Sequence, residues 1–183
     1  MLTLDLSKLP VLTTDRLVLR DLRAEDAPAL FAMRSDPIAM RLVRRPLATT
    51  IDDAHALIAK IQGIQDANEG AQWAITLKRD DTFIGLVGLW RIMKEHHRAE
   101  LGYSLSRKHW GRGVITEAIP PVLNHGFRVF GCHSVEAITD PRNTAYIRVL
   151  EKSGFVREAH FKENFLWNGV FTDSMVFSKL APS

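Results

Sequence analysis

Apolar and polar positions change period several times along the chain. Residues 17–22 alternate as a short strand. Ala24-Glu25-Asp26 then starts a helix that carries Leu30, Phe31 and Met33 and stops at Asp36-Pro37. Thr50 and Asp53 have capping-box spacing, with Asp where Glu or Gln is usual, and Ile51, Ala54, Leu57, Ile58 and Ile61 recur at helical period. Near residue 71 the period drops to two. Trp73, Ile75 and Leu77 alternate with Gln72, Ala74 and Thr76, which predicts a half-buried strand; a polar turn at Arg79-Asp80-Asp81 and a strand over residues 82–92 follow. In residues 99–106, Ala99, Leu101, Tyr103 and Leu105 share one face, with Glu100, Gly102, Ser104 and Ser106 on the other.

The second half alternates helix and strand. Trp110-Gly111-Arg112-Gly113 opens a helix expected to run towards Phe130 and end at Gly131, residues 134–139 form a strand, and residues 143–153 a helix with Gly154 beyond its end. Two final strands flank Asn168-Gly169, a strong hairpin signal. The pattern predicts an α/β protein: a mixed sheet of about seven strands with helices on both faces.

The 183 residues suit one domain. An apolar share of 46% against 25% charged excludes disorder and low-complexity scaffolds. A single cysteine, Cys132, rules out an intramolecular disulfide and makes a structural zinc cluster implausible; beside a strand it reads as a small buried hydrophobe. No basic leader with a long apolar run begins the chain and no 18-residue apolar run occurs, so a cytoplasmic protein with no membrane partner is expected. The net charge of +3 is a mild bias towards anionic partners, and no basic-aromatic interleaving supports a nucleic-acid platform.

The most informative segment is Arg107-Lys108-His109-Trp110-Gly111-Arg112-Gly113 between a strand and a helix. Glycines at a helix entry let backbone approach a ligand, and the first free N–H groups and the helix dipole favour an anion. Arg107, Lys108 and Arg112 add positive charge, so phosphate or pyrophosphate binding follows; a plain tight turn is the bland alternative. A P-loop is excluded because G-x-x-x-x-G-K-[ST] is missing, and a dinucleotide fingerprint is disfavoured because its third glycine falls on Thr116. On the preceding strand the small residues Gly102, Ser104 and Ser106 leave a groove with Glu100 at one end. That carboxylate is either a proton acceptor for an amine or an exposed partner of Arg98 or Arg91.

KHWGRGVITEA, preceded by AELGYSL and followed by NTAYIRVLEKSGF, resembles the acetyl-CoA motifs of the GNAT N-acetyltransferases. The opening LTTDRLVLRDLRAEDAPAL and the ending NGVFTDSMVFSKL are similar to the RimJ/RimL-like branch, whose founding members acetylate protein N-termini. The resemblance spans residues 12–180. It implies a GNAT fold and acetyl-CoA as donor, with the pyrophosphate on the backbone N–H groups of Gly111, Arg112, Gly113 and Val114 and Lys108 beside it. It further implies pantetheine against backbone of Tyr103, Ser104 and Leu105, Asn143 near pantetheine or adenosine, and Glu100 as general base. The reaction implied is direct attack of a neutral amine through a tetrahedral intermediate. The partner implied is an acceptor amine, from a peptide N-terminus or a small molecule, and a homodimer is a candidate assembly.

The chain departs from the family pattern at three places. Lys108 stands where Gln or Arg is usual, which keeps charge without the planar fork. Pro120-Pro121 should kink the helix after the loop. Tyr146 replaces a usual serine, and Leu150 stands where some members place a tyrosine acid. The Tyr146 hydroxyl is therefore a candidate general acid, against the alternative of an apolar stripe with Val149 and Leu150.

Asp173 interrupts an apolar face of Phe171, Met175 and Phe177, and is expected to be buried and paired with Arg16 or Arg20, the alternative being a base that reaches the substrate amine. His96 and His97 make a poor metal pair, so no metal site is expected. Arg41, Arg44 and Arg45 either favour an acidic acceptor or belong to a solvated loop. A non-catalytic coenzyme A-binding module is the alternative to an enzyme.

Overall fold

The apolar alternation resolves into eight strands: β1 (Leu12–Thr13), β2 (Leu17–Asp21), β3 (Ala71–Leu77), β4 (Phe83–Met93), β5 (Arg98–Leu105), β6 (Ser134–Thr139), β7 (Val156–Trp167) and β8 (Val170–Leu180). The computed structural model describes residues 1–182. All eight join one sheet, in the order β1-β2-β3-β4-β5-β6-β8-β7, with β5–β6 as its parallel pair. The strand beyond the expected seven is β1, two residues long and too short to leave a periodic signal.

Helices α1 (Ala27–Arg34) and α3 (Ile51–Asp66) cover one face, packing Leu30, Met33, Ala54, Ile58 and Ile61 on Ala74 and Leu86. The other face carries α4 (Val114–Arg128) and α5 (Thr144–Lys152) over Trp73, Ile75, Val87, Leu89 and Leu101. Two-sided cover corrects the expectation for β3, which is buried at every position except Leu77, Gln72 and Thr76 included. Asp53 closes the first turn of α3 by accepting the Thr49 and Thr50 amides at 2.7 and 3.0 Å. Asp36-Pro37 ends α1 as expected, but it also starts the short helix α2 (Pro37–Met40): Asp36 Oδ1 accepts the Ile38 amide at 2.9 Å.

Helix α4 runs through Pro120 and Pro121 without ending. The prolines take the acceptors' partners from Thr116 and Glu117, one turn back, and leave the first turn untouched. Gly126 lets the helix lie close to the sheet, since a Cβ there would meet Leu89 Cδ1 at 2.5 Å. The β7–β8 hairpin turns on Asn168 and Gly169 at φ 48° and 77°, as the sequence predicts.

The buried arginine pairing differs from expectation. Arg20 is 5% exposed and binds Asp26 through two bonds of 2.8 Å, with Asp81 at 2.8 Å. The Asp26 bond, opposed by burial and helped by Asp81, raises the Arg20 pKa. Removing Asp26 would leave the buried guanidinium with only the half-exposed Asp81 and cost up to about 3–5 kcal/mol. Asp173 pairs with neither Arg16 nor Arg20; a bulge in β7 instead presents the Glu163 amide to it at 2.9 Å, and His160 Nε2 lies at 2.7 Å. Among the described residues no helix is long and apolar enough to cross a membrane.

Candidate active site

Strands β5 and β6 are register partners over only three pairs, Arg98–Ser134 to Glu100–Glu136. Beyond these they part: β6 runs on beside β8 to Thr139 and β5 beside β4 to Leu105, and no ladder joins the two edges that face each other. The edge of β5 that faces the opening can be read from its bonds. Ser106 donates its amide to Ile84 of β4, and the Leu101 carbonyl accepts the Tyr146 hydroxyl at 3.3 Å on the other side. Backbone direction alternates with period two, so Leu101, Tyr103 and Leu105 turn their peptide groups to the opening while Gly102 and Ser104 spend theirs on β4. The Leu105 carbonyl is engaged by Trp110 Nε1 at 2.9 Å.

The α5 side of the opening is aromatic. Tyr103 and Tyr146 stack with ring centroids 4.2 Å apart and 6° between planes, and Tyr103 Oη donates to the Tyr146 carbonyl at 3.4 Å. Burial, helped by the Glu100 charge, raises the Tyr146 pKa and keeps the phenol protonated. Burial likewise raises that of Tyr103. Asn143 caps α5, its Oδ1 accepting the Tyr146 amide at 3.2 Å, and so fixes where Tyr146 starts.

Glu100 lies on the opposite face and at the vertex of the opening, next to Glu136 of β6. Each carboxylate is held by an arginine: Arg91 to Glu100 at 2.7 Å and Arg98 to Glu136 at 2.5 Å. Arg91 sits at φ 48° where β4 shifts register, and that irregularity turns its side chain back onto Glu100. The groove expected over Gly102 is filled in part by Trp90, whose Nε1 would lie 2.3 Å from a Cβ at that position.

A strap, residues 36–44, crosses the same face. At one end Arg107 binds Asp36 at 2.9 Å; at the other Arg44 donates to Ser174 Oγ at 2.8 Å and to the Asp173 carbonyl, with Asp140 at 3.7 Å and the Phe165 ring at 4.6 Å. Because β6 lies between β5 and β8, this span roofs the opening. Arg44 is thus a structural anchor, not a solvated loop residue, whereas Arg41 and Arg45 are exposed. The sequence offered no sign of these contacts beyond the basic cluster itself.

Below the opening lies the glycine loop. Gly111 and Gly113 adopt φ 70° and 72°, and a Cβ on Gly111 would meet nothing within 4 Å. Glu117 is the first residue of α4 to bond back, its amide to the Gly113 carbonyl, which leaves the N–H groups of Val114, Ile115 and Thr116 as the free donors of the helix start. Lys108 and Arg112 are exposed beside them, while Arg107 is drawn off by Asp36. Cys132 is 2% exposed, and burial pushes its thiol up to about 11, too protonated to act as a nucleophile. His97 meets the Gly131 carbonyl, and no group of three or more metal-ligating side chains is found among the described residues.

Residues 16–156 match the Acetyltransferase (GNAT) domain family. An uncharacterized N-acetyltransferase of Bacillus subtilis (strain 168), YoaA, is 31% identical over 94% of this chain and 98% of its own. Among solved structures, a GNAT-family acetyltransferase from Bacillus anthracis superposes with a TM-score of 0.85 at 24% identity, over 94% of this chain and 99% of that one. Spermidine N-acetyltransferase from Vibrio cholerae, in complex with CoA and spermine, gives 0.80 at 23% identity, over 92% and 97%.

Proposed function

The chain belongs to the GNAT N-acetyltransferases, and on that premise we propose that it moves an acetyl group from acetyl-CoA to a primary amine across the β5–β6 opening. The observation that carries this reading is the opening itself, with the free N–H groups at the start of α4 and the Tyr103–Tyr146 pair on one side and a carboxylate on the other. The fit to the donor's diphosphate rests on the free N–H groups at the start of α4 and the open space over Gly111. The amides of Gly111, Arg112, Gly113 and Val114 hold the diphosphate, with Lys108 adding charge. Tyr103 and Leu105 offer backbone groups to the pantetheine arm; Ser104 has its peptide turned to β4 and offers only its hydroxyl, on the acceptor face. Asn143 acts on the site through Tyr146.

Acetyl-CoA, when bound, supplies the activated thioester. Glu100 takes the ammonium proton, directly or through water; the neutral amine bonds to the acetyl carbon and the carbon–sulfur bond breaks. Tyr146 protonates the departing sulfur and is reprotonated through water by the second proton the nitrogen releases. The two act from opposite faces of the sheet, which separates the acid from the base by the width of the opening.

For the acceptor we favour a peptide or protein N-terminal amine, on the RimJ/RimL-like opening and closing motifs. A polyamine is the second reading, favoured by the two carboxylates, Glu100 and Glu136, side by side on the acceptor face. Release of free thiol from acetyl-CoA, measured against a panel of short peptides, free amino acids, polyamines and aminoglycosides, tests both. Turnover confined to peptides supports the first reading, and turnover confined to polyamines the second. Absence of thiol release with every amine, alongside tight CoA binding, would refute catalysis and leave a binding module.

A further inference from the structure

We propose that Arg16 is a positioning residue for the diphosphate loop, acting through the Arg112 carbonyl and the Glu117 carboxylate; this rests on the reading of that loop as the CoA diphosphate site. Arg16 lies 96 positions before Arg112, yet its Nη1 donates to the Arg112 carbonyl at 3.0 Å. Its Nε and Nη2 hold Glu117 Oε2, each at 2.6 Å. Glu117 Oε1 accepts the Arg16 amide at 2.9 Å and the Thr14 hydroxyl at 2.5 Å, and Thr14 Oγ1 accepts the Leu17 amide at 3.0 Å. The turn between β1 and β2 is thereby bolted to the first turn of α4.

Two effects on the loop follow. In a trans peptide the carbonyl and the N–H point in opposite directions. With the Arg112 carbonyl held by Arg16, the Gly113 N–H is turned away from the guanidinium. The bond from the Glu117 amide to the Gly113 carbonyl, 3.0 Å, does the same for the Val114 N–H. Each of these neighbouring donors is thus fixed in direction by the bond that its peptide carbonyl makes. The second effect is charge. Glu117 stands in the first turn of α4, beside the N–H groups that would take an anion, and unpaired it would repel a diphosphate. Arg16 cancels that charge and brings Nη2 to 3.7 Å from a Cβ placed on Gly113. Burial favours the neutral form of Glu117, but the Thr14 hydroxyl, the Arg16 amide and the Arg16 guanidinium outweigh it and hold the carboxyl below its ordinary range.

The test compares CoA with pantetheine, which has the same thiol arm and no diphosphate, by calorimetry on the full chain. Arg16→Gln is expected to reduce the preference for CoA over pantetheine by about tenfold. Arg16→Lys should recover part of it by restoring charge without the planar fork. Glu117→Gln in the Arg16→Gln background should also recover part, because the uncompensated carboxylate is gone. A role confined to holding the fold would weaken both ligands alike; an unchanged preference in Arg16→Gln overturns the proposal, as do Arg16 and Glu117 effects that simply multiply. If Arg16→Gln does not fold, Arg16→Lys is read the same way, and a wild-type preference there overturns it. A wild-type protein that binds CoA no better than pantetheine fails at the earlier step, the assignment of the diphosphate site, and takes the proposal with it.

Discussion

Replacing Gly111 separates the conformational, steric and electrostatic contributions of the loop. Its φ of 70° is left-handed, and a Cβ there meets nothing within 4 Å. Gly111→Ala should therefore cost about 1–2 kcal/mol of backbone strain and little else, a fall in Tm of roughly 2–8 °C for a chain of this size. Gly111→Asn places a branched amide in the same space and tolerates the left-handed conformation better. Gly111→Asp has almost the same shape and adds one negative charge. A carboxylate about 5 Å from a diphosphate with two charges is repelled by about 1.7 kcal/mol at the dielectric constant of water, and by about four times as much at an effective value of 20. The loop is exposed, so the lower figure sets the floor. CoA should bind Gly111→Asp at least about 15-fold more weakly than Gly111→Asn. At 1 M salt the screening length falls to about 3 Å and the gap should largely close. Calorimetric dissociation constants at both salt concentrations check this. Equal affinities for the Asp and Asn variants, or a gap that persists at high salt, would refute the assignment of the loop to a diphosphate.

Tyr146→Phe removes the proposed acid and should lower turnover about a hundredfold. Because burial raises the Tyr146 pKa, the wild-type turnover limb attributable to it lies above the ordinary tyrosine range and should vanish in the variant; unchanged turnover across pH eliminates the role. Arg44→Met keeps the volume of the strap but loses its bonds to Ser174 and the Asp173 carbonyl. It should cost about 1–3 kcal/mol in denaturant unfolding and raise KM for the acceptor more than for acetyl-CoA, and equal changes in both would contradict the roof. Asp140 is 4% exposed, and the Arg142 bonds, opposed by burial and supported by Arg44, hold its carboxyl below its ordinary 3.8. A depressed carboxylate stabilises the fold fully above its unfolded pKa and loses that contribution as pH falls through the lower folded value. Asp140→Asn should thus be less stable at pH 7 and show a shallower loss below about pH 4, measured as unfolding free energy against pH; parallel curves would refute the linkage.

Most elements were legible because their signals are local. A period of two or 3.6 reports which face of a segment is buried, so the strands from β2 to β8, the long helices, the Asn168-Gly169 turn and the glycine loop all follow from neighbouring residues. The two strand faces of residues 99–106 were also legible, and with them Glu100 on one side and Tyr103 on the other. The same locality limits the reading. Burial of β3 on both faces depends on α1 and α3 covering what looks like a polar side. The charged pairs depend on it more strongly. Nothing in the order of residues says that Arg20 takes Asp26, that Asp173 turns to His160, or that Arg16 reaches Glu117, because any arginine and any carboxylate attract and only the packed backbone selects among them. The β5–β6 opening is of this kind. Strand propensity placed both strands, but the parting exists only in the sheet, where β6 pairs along its full length with β8 on one edge and over three residues with β5 on the other. Local order along the chain set the elements and the chemistry they carry. The tertiary structure decided which hydrogen-bond edges were left unspent, since a strand's second edge is filled or left open by a partner distant in the chain.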